Sequence, residues 1–182
     1  GVYNLGFVAV AATEIGHEFA DWWSKRVYHF CRADIPNGLF TDQRWIDLVP
    51  AFFSGVAIMR SSRHNVATWN LTTRELSVSE SGQYLVDNEP LGFYHFTGFD
   101  SGAHRIMAAK NAGNNQAVHQ LVNWYANETA SLAQDPLAQE PWAYGTYTDG
   151  TAISKPQRLV YRERTDLQAA FPDPFDATTY LD

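Results

Sequence analysis

The stretch LGFYHFTGFD, residues 91–100, places a histidine inside an apolar run that ends in a glycine-bounded turn. Side chains alternate between the two faces of a strand, so Phe93, His95 and Thr97 are predicted to share one face. The imidazole would then lie at a strand end, beside a loop that a ligand could approach. A structural histidine satisfied by a neighbouring group has the same local pattern, so both interpretations stay open at this point.

The composition is that of a packed globular protein: the chain has 182 residues, 45% of them hydrophobic and 14% aromatic. This length suits one domain with a substantial core, or one and a fraction. The net charge of −7 argues against general nucleic-acid binding. No apolar run is long enough to cross a membrane. The single cysteine, Cys31, is predicted to lie in the core and favours a reducing, cytoplasmic compartment, with any membrane association supplied by other parts of a parent protein.

The pattern of elements predicts a mixed α/β part over residues 1–102 and a helical, aromatic-rich extension over residues 103–182. The chain also opens without an initiator Met, which suggests a fragment. The predicted strands cover about residues 2–11 and 56–59, with a hairpin formed by residues 83–86 and 91–97 around a four-residue turn. The predicted helices are one capped by Thr13, a short one between Thr41 and Pro50, one over about 115–133, and a last one that begins at Pro156 after a tight turn at Asp149-Gly150.

Three groups of polar residues in apolar surroundings could hold a polyhydroxylated ligand. The amide of Asn4 lies beside the first predicted strand, where it could donate to a ligand carbonyl or sugar hydroxyl or equally cap the strand end. Asp42 and Gln43 lie at a predicted helix N-terminus, where the helix dipole alone also favours an acid. A third group combines amides with an indole face suited to stacking on a sugar ring, although a tryptophan in this position is also common in cores; its members are Asn65, Trp69 and Asn70.

The last predicted helix carries a basic stripe of Lys155, Arg158 and Arg162, because spacings of three and four share one helix face. A solvated surface is the ordinary role of such a stripe. The alternative is that Arg158 and Arg162 bind a diphosphate or an anionic acceptor. The sequence has no glycine-rich phosphate loop, no cysteine cluster for zinc and no nucleophile-elbow pattern.

Three short motifs, taken in order, resemble the second half of a GT-A type nucleotide-sugar glycosyltransferase similar to family 8 and to bacterial polysaccharide-biosynthesis transferases. Asn4-Leu5-Gly6 resembles the Asn-x-Gly strand of those enzymes, Asp42-Gln43 their Asp-Gln motif, and His95-Phe96-Thr97-Gly98 their His-Phe-x-Gly motif. The resemblance spans residues 1–100. It implies the C-terminal part of a Rossmann-like GT-A domain followed by a helical extension.

The resemblance also implies an activity, the transfer of a hexose-like sugar from a nucleotide-sugar donor to a glycan or another hydroxyl acceptor. His95 would bind Mn²⁺ or Mg²⁺, and the Asp-x-Asp that supplies the other ligands is absent from this sequence, so a missing N-terminal half is expected to provide it. Asp42 and Gln43 would be catalytic, and the residues expected to bind substrate are Asn4, Asn65, Trp69, Asn70, Gly98, Arg158 and Arg162.

One position departs from the family pattern. Asp100 stands near the place of a phosphate-contacting lysine, which leaves the stereochemical outcome open. A non-catalytic carbohydrate-binding or scaffold module of the same fold is the alternative, and a third interpretation is that this chain alone is an incomplete, inactive fragment.

Overall fold

A computed structural model describes residues 2–177 of the chain as a mixed helix and sheet protein with two small antiparallel sheets. It divides into two compact units, Gly1–Tyr125 and Ala126–Asp182. The sequence pattern predicted a boundary after residue 102, but Ala108 and Val118 beyond that point are buried in the core of the first unit. Among the described residues, no helix is both long and apolar enough to span a membrane.

The first unit begins with helix α1, Glu14–Phe30, which starts where the sequence predicts because the side chain of Thr13 accepts a hydrogen bond from the N–H of Gly16 at 3.2 Å. Strands β1 (Ala33–Asp34) and β2 (Leu39–Phe40) form a short hairpin closed by a 3₁₀ turn. Cys31 follows α1 and is exposed, so its predicted place in the core is wrong.

The short helix predicted between Thr41 and Pro50 is two single-turn helices, α2 (Gln43–Ile46) and α3 (Val49–Phe52). Asp42, not Thr41, occupies the N-cap position of α2, and Thr41 has a left-handed backbone with φ of 48°. Pro50 lies in the first turn of α3 and does not end a helix, because a first-turn residue needs no N–H for a helical hydrogen bond.

Three strands form the larger sheet: β3 (Leu76–Val78), β4 (Tyr84–Val86) and β5 (Glu89–Pro90), with Leu76 opposite Val86. The turn between β4 and β5 contains only Asp87 and Asn88, whose φ angles are 51° and 67°. Positive φ at both central residues is the requirement of a two-residue hairpin turn, so the predicted four-residue turn is wrong.

Residues 91–97 do not form the predicted second arm of that hairpin along their length. The N–H of Leu91 still bonds to Tyr84, but the chain then leaves the sheet and forms a parallel bridge between Tyr94 and Val66. The N–H of His95 donates to the carbonyl of Val66 at 2.7 Å, and the N–H of Val66 donates to the carbonyl of Phe93 at 3.2 Å. This bridge fixes the backbone of His95.

The core of the first unit lies between this sheet and two helices, α4 (Ala103–Ala112) and α5 (Gln116–Ser131). The sequence predicted α5 at almost these bounds, whereas α4 was not predicted. The sheet and the helices both contribute buried side chains, and the segment that bridges Tyr94 adds Val66; the buried residues include Val66, Leu76, Val86, Ala108, Val118, Leu121 and Val122.

Two segments predicted as strands are neither strand nor helix: residues 2–11 and 56–59. Most of their apolar side chains are exposed, with Val8 at 40% and Val56 at 41% of full exposure, and Tyr3 and Leu5 are half-buried. Among the backbone hydrogen bonds of the described chain, none involves residues 7–10 or 56–59. A strand needs a neighbour for its N–H and C=O groups, and the described residues provide none here.

In the second unit, the predicted turn at Asp149-Gly150 is present and is closed by a bridge between Thr146 and Ala152. Helix α6, Lys155–Glu163, begins at a capping box of Ser154 and Gln157, with Pro156 in its first turn as predicted. The predicted single helix ends at Arg164, whose backbone is not helical, and α7 (Thr165–Ala170) follows as a separate helix.

A buried histidine on α4 predicts a dependence of stability on pH. His104 has no exposed surface, its Nδ1 donates to the carbonyl of Thr97 at 2.9 Å, and the hydroxyl of Tyr94 lies 3.4 Å from its Nε2. Burial lowers the pKa of His104, with the bond to Thr97 opposing and the charge of His95 adding to the decrease. The same burial raises the pKa of Tyr94 to about 12.

Because the pKa of His104 is lower in the folded chain than in the unfolded chain, the unfolded chain binds more protons just below the ordinary histidine pKa of about 6.5. We therefore expect the free energy of unfolding to fall as the pH drops below that value. Denaturant unfolding at several pH values measures this slope, which should be smaller in His104→Gln and unchanged in His17→Gln, which replaces an exposed histidine of α1. Equal slopes in His104→Gln and the unaltered chain would contradict the assignment.

Candidate functional site

The ring of His95 is held in one orientation by Asn65. Nδ1 of His95 lies 3.1 Å from Oδ1 of Asn65, and an amide oxygen only accepts, so Nδ1 carries the proton. The lone pair of the neutral imidazole is then on Nε2, for which the described part of the chain provides no hydrogen-bond partner. The indole of Trp69 packs edge to face on the imidazole, with 5.3 Å between ring centroids. His95 is half-buried and presents one basic nitrogen.

Asn65 links His95 to the N-terminal segment. Its Nδ2 donates to Oδ1 of Asn4 at 2.6 Å, and the N–H of Gly6 donates to the same oxygen at 2.9 Å. Asn65 adopts a left-handed backbone with φ of 55°, a conformation that asparagine accepts more readily than most residues. A side chain at Gly6 would overlap the amide of Asn65, so this glycine is required by a close approach. We call Asn4, Asn65, Trp69 and His95 the amide–histidine cluster.

Asn70 and Gly98 shape the backbone around this cluster. Oδ1 of Asn70 accepts from the N–H of Ala67 and its Nδ2 donates to the carbonyl of Asn65, both at 2.9 Å, so both ends of its amide are used inside the turn. Gly98 has φ of 66° and its carbonyl accepts from the N–H of His104, where α4 begins. Both residues were predicted to bind substrate, and the structure places them in the backbone turns that flank the cluster.

Asp42 and Gln43 lie at the start of α2, where the indole N–H of Trp23 donates to the carbonyl of Asp42 at 3.3 Å. The Asp42 side chain makes no capping hydrogen bond, so helix capping does not account for it. In the described residues, no hydrogen bond joins either side chain to the amide–histidine cluster. The end of α2 is linked to the N-terminal segment by Asp47. The carboxylate of Asp47 accepts a hydrogen bond from the N–H of Val2 at 2.6 Å, two residues before Asn4.

Arg158 and Arg162 lie in the second unit, on α6. The guanidinium of Arg158 stacks 4.8 Å from the ring centre of Trp142 and donates to the carbonyl of Tyr144. Arg162 is exposed and pairs with its neighbour Glu163 at 3.2 Å. Arg158 therefore organises the aromatic segment that precedes α6.

Two residues that support the cluster were not predicted from the sequence. Nη1 of Arg74 donates to the carbonyl of His64 at 2.8 Å, and Nδ2 of Asn111 donates to the carbonyl of Thr68 at 2.6 Å. These bonds fix the backbone on both sides of Asn65. The two carbonyl acceptors are 10 and 43 residues away along the chain, and no short motif marks such contacts.

Arg74 and Asn111 also line an open polar cleft of about 430 Å³. Burial lowers the pKa of Arg74, and the nearby carboxylate of Asp87 acts in the opposite direction. None of the predicted site residues lines this cleft, so its position does not identify it as the site that the motifs predict.

The described residues do not contain a complete set of side-chain ligands for a metal ion. No set of three or more His, Cys, Asp or Glu side chains within residues 2–177 is arranged to hold an ion. Nε2 of His95 fits one ligand position, because its tautomer is set by an amide oxygen in the way that ligating histidines are held by their outer contacts.

Comparison with known proteins finds two similar proteins of Bacillus subtilis (strain 168). The chain is 33% identical over 101 residues to the uncharacterized protein YfnD and 30% identical over 99 residues to the uncharacterized protein YfnF. Each match covers 54% of this chain and about one third of the relative, 32% and 33% respectively. No protein-family profile matches the chain. No solved structure matches it.

Proposed function

We propose that this chain is part of a metal-dependent glycosyltransferase, which moves a sugar from a nucleotide-sugar donor to a glycan or another hydroxyl acceptor. The single observation that carries the proposal is the amide–histidine cluster. Two of the motifs behind the family resemblance, Asn4-x-Gly6 and His95-Phe96-x-Gly98, lie about 90 residues apart in sequence and are joined through Asn65. The proposal includes a GT-A type, Rossmann-like domain for the intact enzyme.

His95 is the residue of this chain that would hold Mn²⁺ or Mg²⁺. Imidazole among oxygen ligands suits Mn²⁺ somewhat better, and the remaining ligands are expected from carboxylates in another part of the polypeptide. When bound, a divalent ion would neutralise the diphosphate leaving group as the glycosidic bond breaks. The contribution of Asn65 is to keep the proton on Nδ1 of His95 and the lone pair on Nε2.

The other predicted residues take roles around the sugars. Asp42 has a carboxylate that is not used for capping, which makes it the candidate for orienting or deprotonating the acceptor hydroxyl. Gln43 would bind a sugar hydroxyl. Trp69 is half-buried beside His95 and offers an indole wall for a sugar ring.

A non-catalytic carbohydrate-binding module is the second candidate. It is favoured by the same indole and amides, together with the absence of a complete ligand set among residues 2–177. The two candidates differ in one respect that can be measured: a transferase binds nucleotide in a metal-dependent manner, whereas a sugar-binding module binds oligosaccharide without nucleotide or metal.

The test is a titration of the protein with UDP and with GDP in the presence of Mn²⁺. Binding is measured by calorimetry and by the NMR signals of the histidine rings. It is performed on this chain and on the natural full-length gene product that contains it. We expect metal-dependent nucleotide binding by the full-length protein, with paramagnetic broadening of the His95 signals. The signals of the exposed His17 on α1 are the internal control and should stay sharp.

Two outcomes would overturn the proposal. Failure of the full-length protein to bind either nucleotide in the presence of Mn²⁺ would reject the donor site, and oligosaccharide binding that shifts the Trp69 indole signal would then favour the binding module. Nucleotide binding that leaves His95 unaffected would reject the ligand role of this residue.

A further inference from the structure

The open polar cleft of the first unit carries charges of both signs and is lined by none of the residues assigned to the proposed function. Its volume of about 430 Å³ falls within the range of about 300–1,000 Å³ that ligand pockets span. Arg74 supplies a positive charge, and Glu75 and Asp87 supply negative charges. The buried side chains of Leu71 and Val118 also line the cleft, so it is backed by the core. These features ask which ligand would match both kinds of charge.

The guanidinium of Arg74 is a half-buried cation without a counter-charge in contact with it. One of its N–H groups donates to the carbonyl of His64 at 2.8 Å, and its other N–H groups have no acceptor among residues 2–177. Within the same residues, no carboxylate forms an ion pair with Arg74. A partly buried charge without a partner is costly, and a carboxylate that accepts two parallel N–H bonds offsets that cost. Arg74 therefore favours a ligand that carries a carboxylate.

The carboxylates of Glu75 and Asp87 disfavour a simple anion in the same cleft. Oδ1 of Asp87 accepts from the N–H of Glu75 at 2.9 Å, and this bond and one from the hydroxyl of Ser62 lower the pKa of Asp87, so it is ionised at neutral pH. With two carboxylates and one guanidinium, the lining has a negative net charge. It favours a ligand that also carries a positive group. Oδ1 of Asn111, for which the described part of the chain provides no donor, is a further acceptor for that group.

We propose that this cleft binds a small zwitterion, an amino acid or a short peptide, with its carboxylate on Arg74 and its ammonium group on Asp87 and Glu75. Such a ligand supplies the missing counter-charge to the guanidinium and also satisfies the carboxylates. An uncharged sugar would leave the guanidinium without a counter-charge, and a simple anion would face two carboxylates. The inference uses no property of His95 and stands without the proposed function.

The test is calorimetric titration of the natural full-length gene product with L-alanine, with β-alanine and with the dipeptide alanylalanine, whose charges are separated by increasing distances. Each probe is compared with its N-acetylated form, which lacks the ammonium group, and with its amide, which lacks the carboxylate. We expect saturable binding of at least one zwitterion, about 10-fold or more tighter than that of either derivative, because a hydrogen bond between charged groups is worth a factor of this size. No nucleotide or metal is added, so the result is independent of the titration with UDP and GDP.

Variants assign the binding to the cleft. Arg74→Lys keeps the charge but loses the parallel donors, and we expect it to weaken binding of the zwitterion about 10-fold. Asp87→Asn and Glu75→Gln each remove a negative charge with little change in shape, and asparagine accepts the φ of 51° at position 87. Both should narrow the difference between the zwitterion and its N-acetylated form. Arg105→Lys, at an exposed position of α4 outside the cleft, is the control.

Three outcomes would overturn the inference. The first is the absence of saturable binding by any of the zwitterions. The second is binding of the N-acetylated forms as tightly as the zwitterions, or of the uncharged disaccharide maltose more tightly than either. The third is zwitterion binding that is unchanged in Asp87→Asn and Glu75→Gln, which would place it outside the cleft. These two conservative variants keep the test decisive if Arg74→Lys fails to fold, which circular dichroism detects.

Discussion

Under the proposed function, replacement of His95 by alanine should reduce sugar transfer by the natural full-length protein about 100-fold or more. Electrostatic groups at a departing charge are typically worth factors of this size, and alanine provides no substitute for Nε2. The fold should tolerate the change, because the backbone N–H of His95, not its ring, bonds to Val66. The measurement is initial-rate kinetics over a range of Mn²⁺ concentrations, with circular dichroism to verify folding.

The control for this experiment is His17→Ala, since His17 is an exposed histidine on α1. We expect unaltered rates and an unaltered Mn²⁺ dependence in that variant. A His95→Ala protein with normal turnover and normal Mn²⁺ dependence would show that the ring has only a structural role, which is the other interpretation that the sequence permits.

Replacement of Gly6 by alanine should have the second largest effect, although Gly6 itself carries no functional group. The added methyl group would overlap the side chain of Asn65, whose amide would have to leave its place between Asn4 and His95. Nδ1 of His95 would lose its acceptor, and the ring would be free to turn or to change tautomer. Loss of such an outer contact typically weakens metal binding about 10- to 100-fold.

Under the proposed metal-binding role of His95, the expected result for Gly6→Ala is weaker Mn²⁺ affinity of the full-length protein with nearly unchanged thermal stability, together with altered ring nitrogen shifts for His95. Those shifts report the tautomer directly and would not respond to a general loss of packing. Gly82→Asn is a suitable control, because Gly82 lies in an open turn with a left-handed backbone that asparagine accepts. Unchanged His95 shifts in Gly6→Ala would refute the orienting role of Asn65.

The elements that the sequence predicted well are those specified by neighbours a few residues away. Thr13 and Ser154 cap their helices through side-chain bonds that span three residues, and Asp149-Gly150 makes a turn that needs only its own residues. The period of apolar residues likewise located α5. In each case the free-energy preference is local and can be read from one window of the sequence.

The predictions that failed depend on partners far along the chain. Residues 7–10 have the apolar composition of a strand, but strand formation needs a neighbour that residues 2–177 do not provide. Residues 91–97 could pair with β4 or with Val66, and composition does not distinguish the two partners. Helix α4 was missed because its apolar residues are mostly alanine, which gives a weak helical period.

The candidate site was predictable in residue type but not in connection. The side chains of Asn4, Asn65, Trp69 and His95 were each selected from the sequence, and three of them are joined by hydrogen bonds. The central position of Asn65 was not foreseen, because its role depends on a left-handed backbone and on two partners at sequence distances of 61 and 30 residues. The supporting bonds of Arg74 and Asn111 are equally remote.

Those sequence distances have a consequence for how the protein acquires its site. The bonds from Asn65 to Asn4 and from His95 to Asn65 each close a long loop of chain, and contacts of that kind form after local helices and hairpins because their entropic cost must first be met. We therefore expect the amide–histidine cluster to be among the late structures in folding. A chain with complete helices still lacks an oriented His95 until both loops have closed, so the protonation pattern of this one ring is a kinetic marker for the final stage of folding.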